Sequence, residues 1–174
     1  MKLSSPERLI LSMLASLHER LDIESETAKL ISEAIHTDNT WALTWALPGI
    51  VGERVEEDPK EVTDVVNYLD MWSFVEEGVK ALLPEVRTEL EATVQRPTSF
   101  PGFDGNNEAE HLSIAYFLVG PLKRFQSFAG RDLNSHYPTL HRYAAMYAVF
   151  EPMRQHLGLR RPLIREELTR ILSV

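Results

Sequence analysis

The 174-residue sequence contains no cysteine. That absence excludes a disulfide framework, thiolate metal ligation and a cysteine nucleophile, and it suits a reducing compartment. Glycine is also scarce, with 8 residues. None of them builds a Gly-rich phosphate loop or a Gly-x-Ser-x-Gly elbow, and no His-Glu-x-x-His pair is present. No apolar run reaches the ~18–20 residues that span a bilayer. No alternating strand pattern of useful length and no internal repeat occurs. What remains is helix.

At 44% hydrophobic residues, the chain is long enough to bury one sizeable core, so a single domain over 1–174 is expected. The net charge of -8 argues against a nucleic-acid or anionic-membrane surface, which needs a basic footprint. The charge is unevenly spread. Most acids fall between Met1 and Glu91, whereas the tail carries Arg131, Arg142, Arg154, Arg160, Arg161, Arg165 and Arg170. Such a chain either folds so that its halves neutralise each other, meets another copy, or keeps an anion-binding patch on its C-terminal helices.

The helices can be read in order. Lys2 and the apolar stretch Leu9–Leu17 imitate a signal peptide, but Glu7 and Arg8 interrupt it. Leu9, Ile10, Met13, Leu14, Leu17 and Leu21 instead fall at helical spacing, with Ser5 as cap and Pro6 at the first position. A second helix has Ser25 as cap, Leu30, Ile31, Ala34 and Ile35 inward, and His36 at its negative pole. Trp41 and Trp45 share one face before Pro48-Gly49, either as core or as a contact between subunits. Asp58, Pro59 and Glu61 form a capping box that opens a long helix through Val62, Val65, Leu69, Trp72 and Val79, stopped by Pro84. A Glu-rich helix from Glu85 to about Gln95 is peripheral.

The stretch "FPGFDGNNEAEH", Phe100 to His111, holds the strongest turn signals in the chain. Gly102 supplies the positive φ of a type II turn, Phe100 and Phe103 pin the loop to the core, and Asn107 caps the next helix. The body of that helix, "HLSIAYFLVG", is apolar nearly all round, so it belongs in the middle of the protein. Leu122, Phe125 and Phe128 form a short helix closed by Gly130. A long helix carries Leu140, Tyr143, Ala144, Tyr147 and Phe150 on its packing side, with Pro152 bending the last turn. A short helix ends the sequence.

Few constellations carry chemistry. Glu33/His36 and Glu108/His111 each set a carboxylate and an imidazole on one helix face, as di-iron carboxylate bundles require of two helices, with Glu76, Glu77 and Glu151 available as further ligands. About 0.7 such pairs arise by chance in this composition, so the motif is unspecific. His136 and His141, five apart, point to different helix faces. Arg160, Arg161 and Arg165 are the anion-binding candidates, since guanidinium forks suit phosphate or carboxylate.

Taken together, "ERLILS" at Glu7–Ser12, "FPGFDGNNEAEHL" at Phe100–Leu112 and "EELTRILS" at Glu166–Ser173 resemble the YfbU family of bacterial proteins over nearly the whole chain. The family motif falls on Phe100, Gly102, Phe103 and Asp104. The resemblance implies a multihelical fold with two buried central helices, here about 59–83 and 107–119, and an oligomer. It implies no catalytic residue. The expectation is therefore an all-α, cytoplasmic, non-enzymatic helical module acting by self-association or partner binding, with no cofactor, no membrane contact and no nucleic acid. The alternatives are a metal-dependent enzyme using the two Glu-x-x-His pairs, and an anion or nucleic-acid binder using the Arg-rich tail.

Overall fold

A computed structural model describes residues 3–51, 57–157 and 161–174. Among them the chain is all-α: α1 (Ser5–Leu21), α2 (Ser25–His36), α3 (Ala42–Ala46), α4 (Pro48–Val51), α5 (Lys60–Ala81), α6 (Pro84–Val94), α7 (Ala109–Val119), α8 (Leu140–Leu157) and α9 (Arg165–Leu172). A single 3-10 turn at Gln126–Phe128 stands where a short helix was expected. One isolated bridge, Phe103 to Asn134, is the only β-type pairing among the described residues.

The two helices expected in the centre are there, as α5 and α7. In α5, Val62, Val65, Leu69, Trp72, Val75 and Val79 are buried, a spacing of three and four that keeps one broad face inward. α7 buries Ile114, Ala115, Phe117, Leu118 and Val119. The two helices touch each other, and α8 and α9 pack on α5. Gly78 lets α9 approach, because a Cβ there would lie 3.0 Å from the Leu163 Cβ and 3.2 Å from the Leu168 Cδ2. α6 is peripheral, with only Leu90 and Val94 buried.

Several starts differ from expectation by a residue, each for a local reason. α1 is capped by Ser4 rather than Ser5, because the Glu7 carboxylate accepts both the Ser4 amide and its hydroxyl at 2.7 Å. α5 begins at Lys60 with Pro59 as its cap and no side-chain capping bond; Asp58 accepts the Trp45 indole N–H at 3.1 Å instead. On α8 Tyr143, Met146, Phe150 and Leu157 are buried, while Ala144 faces water. Pro152 lies inside that helix.

The Trp pair belongs to this chain's own core. Trp41 is buried, meets Trp45 edge-on at 5.2 Å between ring centroids, and reaches Phe117 at 6.2 Å. The Arg124 guanidinium covers Trp45 at 4.6 Å, a cation–π contact. No helix among the described residues is long and apolar enough to cross a membrane.

Candidate functional site

The Phe100–His111 corner holds Asp104 and Glu108, the only buried carboxylates among the described residues. Gly102 has φ +103°, and a Cβ there would fall 2.0 Å from the Leu133 carbonyl oxygen. Glycine is required because two backbones run side by side at that point. The Phe103 amide donates to the Leu133 carbonyl at 2.8 Å, and the Ser135 amide donates to the Phe103 carbonyl at 3.0 Å. The Gly102 carbonyl accepts the buried Tyr143 hydroxyl at 2.7 Å.

Asp104 and Glu108 organise the helix starts. The Asp104 carboxylate accepts the Asn106 amide at 3.0 Å and also the Asn107 side-chain amide. Asn107 is thus not the cap of α7; Glu108 occupies that position, without a capping bond from its own side chain. The Glu108 carboxylate turns away to accept the amides of Asp104 (2.9 Å), Thr139 (2.6 Å) and Leu140 (2.8 Å), and the Thr139 hydroxyl at 2.8 Å. One buried carboxylate thereby caps α8 and ties it to the corner that feeds α7. Burial pushes its pKa up, but the four donors outweigh that and hold it below the ordinary glutamate value. Asp104 is likewise held low, by Asn107 first and the Asn106 amide second.

A second clamp holds Phe100. The Glu76 carboxylate accepts the Phe100 amide at 2.7 Å and both oxygens receive Arg131 Nη1 at 2.9 Å, while Arg131 Nη2 donates to the Phe100 carbonyl at 2.9 Å. Phe100 in turn sits against Trp72, Phe103, Phe128 and Tyr143, with centroids 5.2–6.0 Å apart. Nothing in the sequence signalled this pair, whose members lie 55 positions apart.

Polar capacity in the corner is spent largely on the backbone, and the ligand set of the metal-dependent alternative does not form among the described residues. Glu108 is saturated by donors, and the His111 ring lies 5.9 Å from that of Phe103. His36 is exposed, with its Nδ1 2.7 Å from the Ser32 carbonyl of its own helix. Glu33 is exposed as well. Among the described residues no three His, Asp or Glu side chains converge as a metal ion requires. Glu76, which the ligand pattern offered as a further donor, is the Arg131 partner.

Several tail arginines meet carboxylates, whereas Arg142 donates to the Leu172 carbonyl at 3.5 Å. Arg161 is bidentate to Glu167 at 2.8 Å, and Arg165 reaches Glu89 at 3.3 Å. Arg160 lies outside the described residues. Arg131–Glu76, Arg154–Asp70 and Arg165–Glu89 each join a C-terminal arginine to an acid within residues 1–91, so charges separated along the sequence compensate in space.

Two surface features remain. An open groove of about 980 Å³ runs beneath the first turn of α7, between Arg8, Asp38, Asn39, Glu110 and Ser113. Its buried polar wall is engaged: Asn39 donates to Ser113 Oγ at 3.0 Å and to Thr37 Oγ1 at 2.9 Å, and accepts the Trp41 indole at 2.9 Å. Arg8 pairs with Asp38. The other feature is α1 itself. Leu9, Ile10, Met13, Leu14, Leu17 and Leu21 are between 48% and 66% exposed, and only Ala15 of this helix is buried.

A family model described as YfbU domain matches residues 1–174. Over 178 aligned positions the chain is 29% identical to UPF0304 protein MJECS11 of Methanocaldococcus jannaschii, with 98% of this chain and 99% of that protein covered.

Proposed function

The chain belongs to the YfbU family, and from that premise we propose that it is a non-enzymatic helical module whose work is done by association with further copies of itself. The observation that carries this is the uncovered apolar face of α1. A soluble monomer's largest apolar patch is ~300–600 Å². Six large aliphatic side chains, each about half exposed and adjacent on one helix, present on the order of 600 Å² at a single place, near the ~800 Å² that each partner contributes to a standard interface. Scattered exposed apolar residues need no explanation, but a contiguous row does. The polar groups that chemistry would use, Glu108, Asp104 and Glu76, are occupied in holding the fold.

Size-exclusion chromatography with light scattering tests this. At tens of micromolar the expected mass is a multiple of the 19.9 kDa chain. A single species of one-chain mass throughout would contradict it.

A further inference from the structure

We propose that the partner covering α1 is α1 of a second copy, packed face to face about a two-fold axis close to Met13 and Leu14. This rests on the self-association reading and names its contact. At 100° per residue, the exposed set from Leu9 round to Leu14 spans about 140° of the helix, the width of a face meant for packing. The opposite arc, with Arg8, Leu11, Ser12, Ala15 and His18, is the less exposed one, and α1 packs there against α2. α2 turns Leu30, Ile31 and Ala34 to the core. So α1 is an outer layer whose more apolar face points away from its own chain.

Within that face Ile10, Leu14, Leu17 and Leu21 are spaced four, three and four, the seam that two helices share in knobs-into-holes packing. Such a seam needs a facing helix. Two arguments select a second α1. First, the other large apolar residues exposed among the described ones, such as Ile50, Leu83, Tyr137 and Ile164, lie on separate elements and form no second row. A head-to-tail contact, which must join two different surfaces, therefore has only one surface available; an isologous contact needs only one. Second, two such faces together bury on the order of 1,200 Å², the lower bound of a specific interface. Arg20 falls inside this arc near its C-terminal end, between the lines of Leu9 and Met13, while no charged residue interrupts the arc from Leu9 to Leu17, so its middle selects an apolar partner.

The absence of native cysteine makes the test clean. Met13→Cys and Leu14→Cys sit nearest the proposed axis, where facing Cα atoms come within the ~7 Å a disulfide tolerates. Under mild oxidation at tens of micromolar, at least one of the two is expected to become mostly covalent dimer, reversed by reductant, while Ile50→Cys stays one chain. Met13→Glu combined with Leu17→Glu is expected to cut the mass to one chain with unchanged helix content. Failure of both mid-helix cysteines to cross-link above the Ile50→Cys control overturns the inference. So does a double variant that keeps the wild-type mass, which would leave self-association standing through another surface. A wild type that is itself a monomer removes both.

Discussion

Glu108 and Thr139, 31 positions apart, are joined twice, through the Thr139 amide at 2.6 Å and its hydroxyl at 2.8 Å. The carboxylate also accepts the amides of Asp104 and Leu140. Removing it leaves those donors without a partner in a buried place, at ~1–3 kcal/mol each before relaxation. Glu108→Ala is therefore expected to lose about 3 kcal/mol or more of unfolding free energy in urea, and Glu108→Gln less, since it keeps one acceptor. An alanine variant within ~0.5 kcal/mol of wild type would show that the corner does not depend on this carboxylate.

The same group sets a pH dependence. Its folded pKa lies below the unfolded value, so the unfolded state binds the proton more readily. The stability it contributes is complete above the ordinary glutamate value of about 4.3 and disappears as pH falls through the folded value. Unfolding free energy of the wild type should fall on acidification below about pH 5, and Glu108→Gln should fall less steeply over that window. Equal slopes would contradict the assignment.

Gly102→Ala should be among the most damaging small substitutions in the chain. It adds a Cβ 2.0 Å from a backbone oxygen at φ +103°, so strain and clash combine at several kcal/mol. Gly49→Ala, where a Cβ meets nothing within 4 Å, should change stability by less than ~1 kcal/mol. Thermal melts of the two variants should differ widely; similar midpoints would mean that the Phe103–Asn134 bridge can be given up.

Arg131→Ala removes donors to both Glu76 and the Phe100 carbonyl, in a pair with side chains 30% and 23% exposed. A loss of about 2 kcal/mol is expected, and Arg131→Lys should recover little of it because an ammonium does not present the guanidinium fork. By contrast Arg161→Ala, in a pair where the arginine is 45% exposed, should cost less than ~1 kcal/mol. Urea melts separate the two; equal losses would remove the distinction between clamp and surface pair.

The buried helices were legible because their apolar residues are dense and periodic: Val62 to Val79 at threes and fours, Leu112 to Val119 almost without interruption. Phe100 and Phe103 were legible as anchors, and Gly102 as a positive-φ site. Contacts that depend on distant partners were not legible. Glu108 caps a helix 31 residues downstream, and Glu76 finds Arg131 across 55, so local spacing offered a ligand motif where the fold uses the acids as clasps. Asn107 had the right spacing for a cap, but Asp104 holds its side chain. Met146 replaced Ala144 because the rotation of a helix about its axis is fixed by neighbours, not by its own period. For α1, periodicity revealed an apolar face but could not say whether the chain itself would cover it.

That uncovered face carries the central claim, and sedimentation velocity over a hundredfold dilution tests it most directly. The wild type is expected to sediment as an assembly that dissociates towards one chain on dilution, with the Met13→Glu, Leu17→Glu variant at the one-chain value throughout. Superimposable one-chain boundaries for both proteins at every concentration would contradict it.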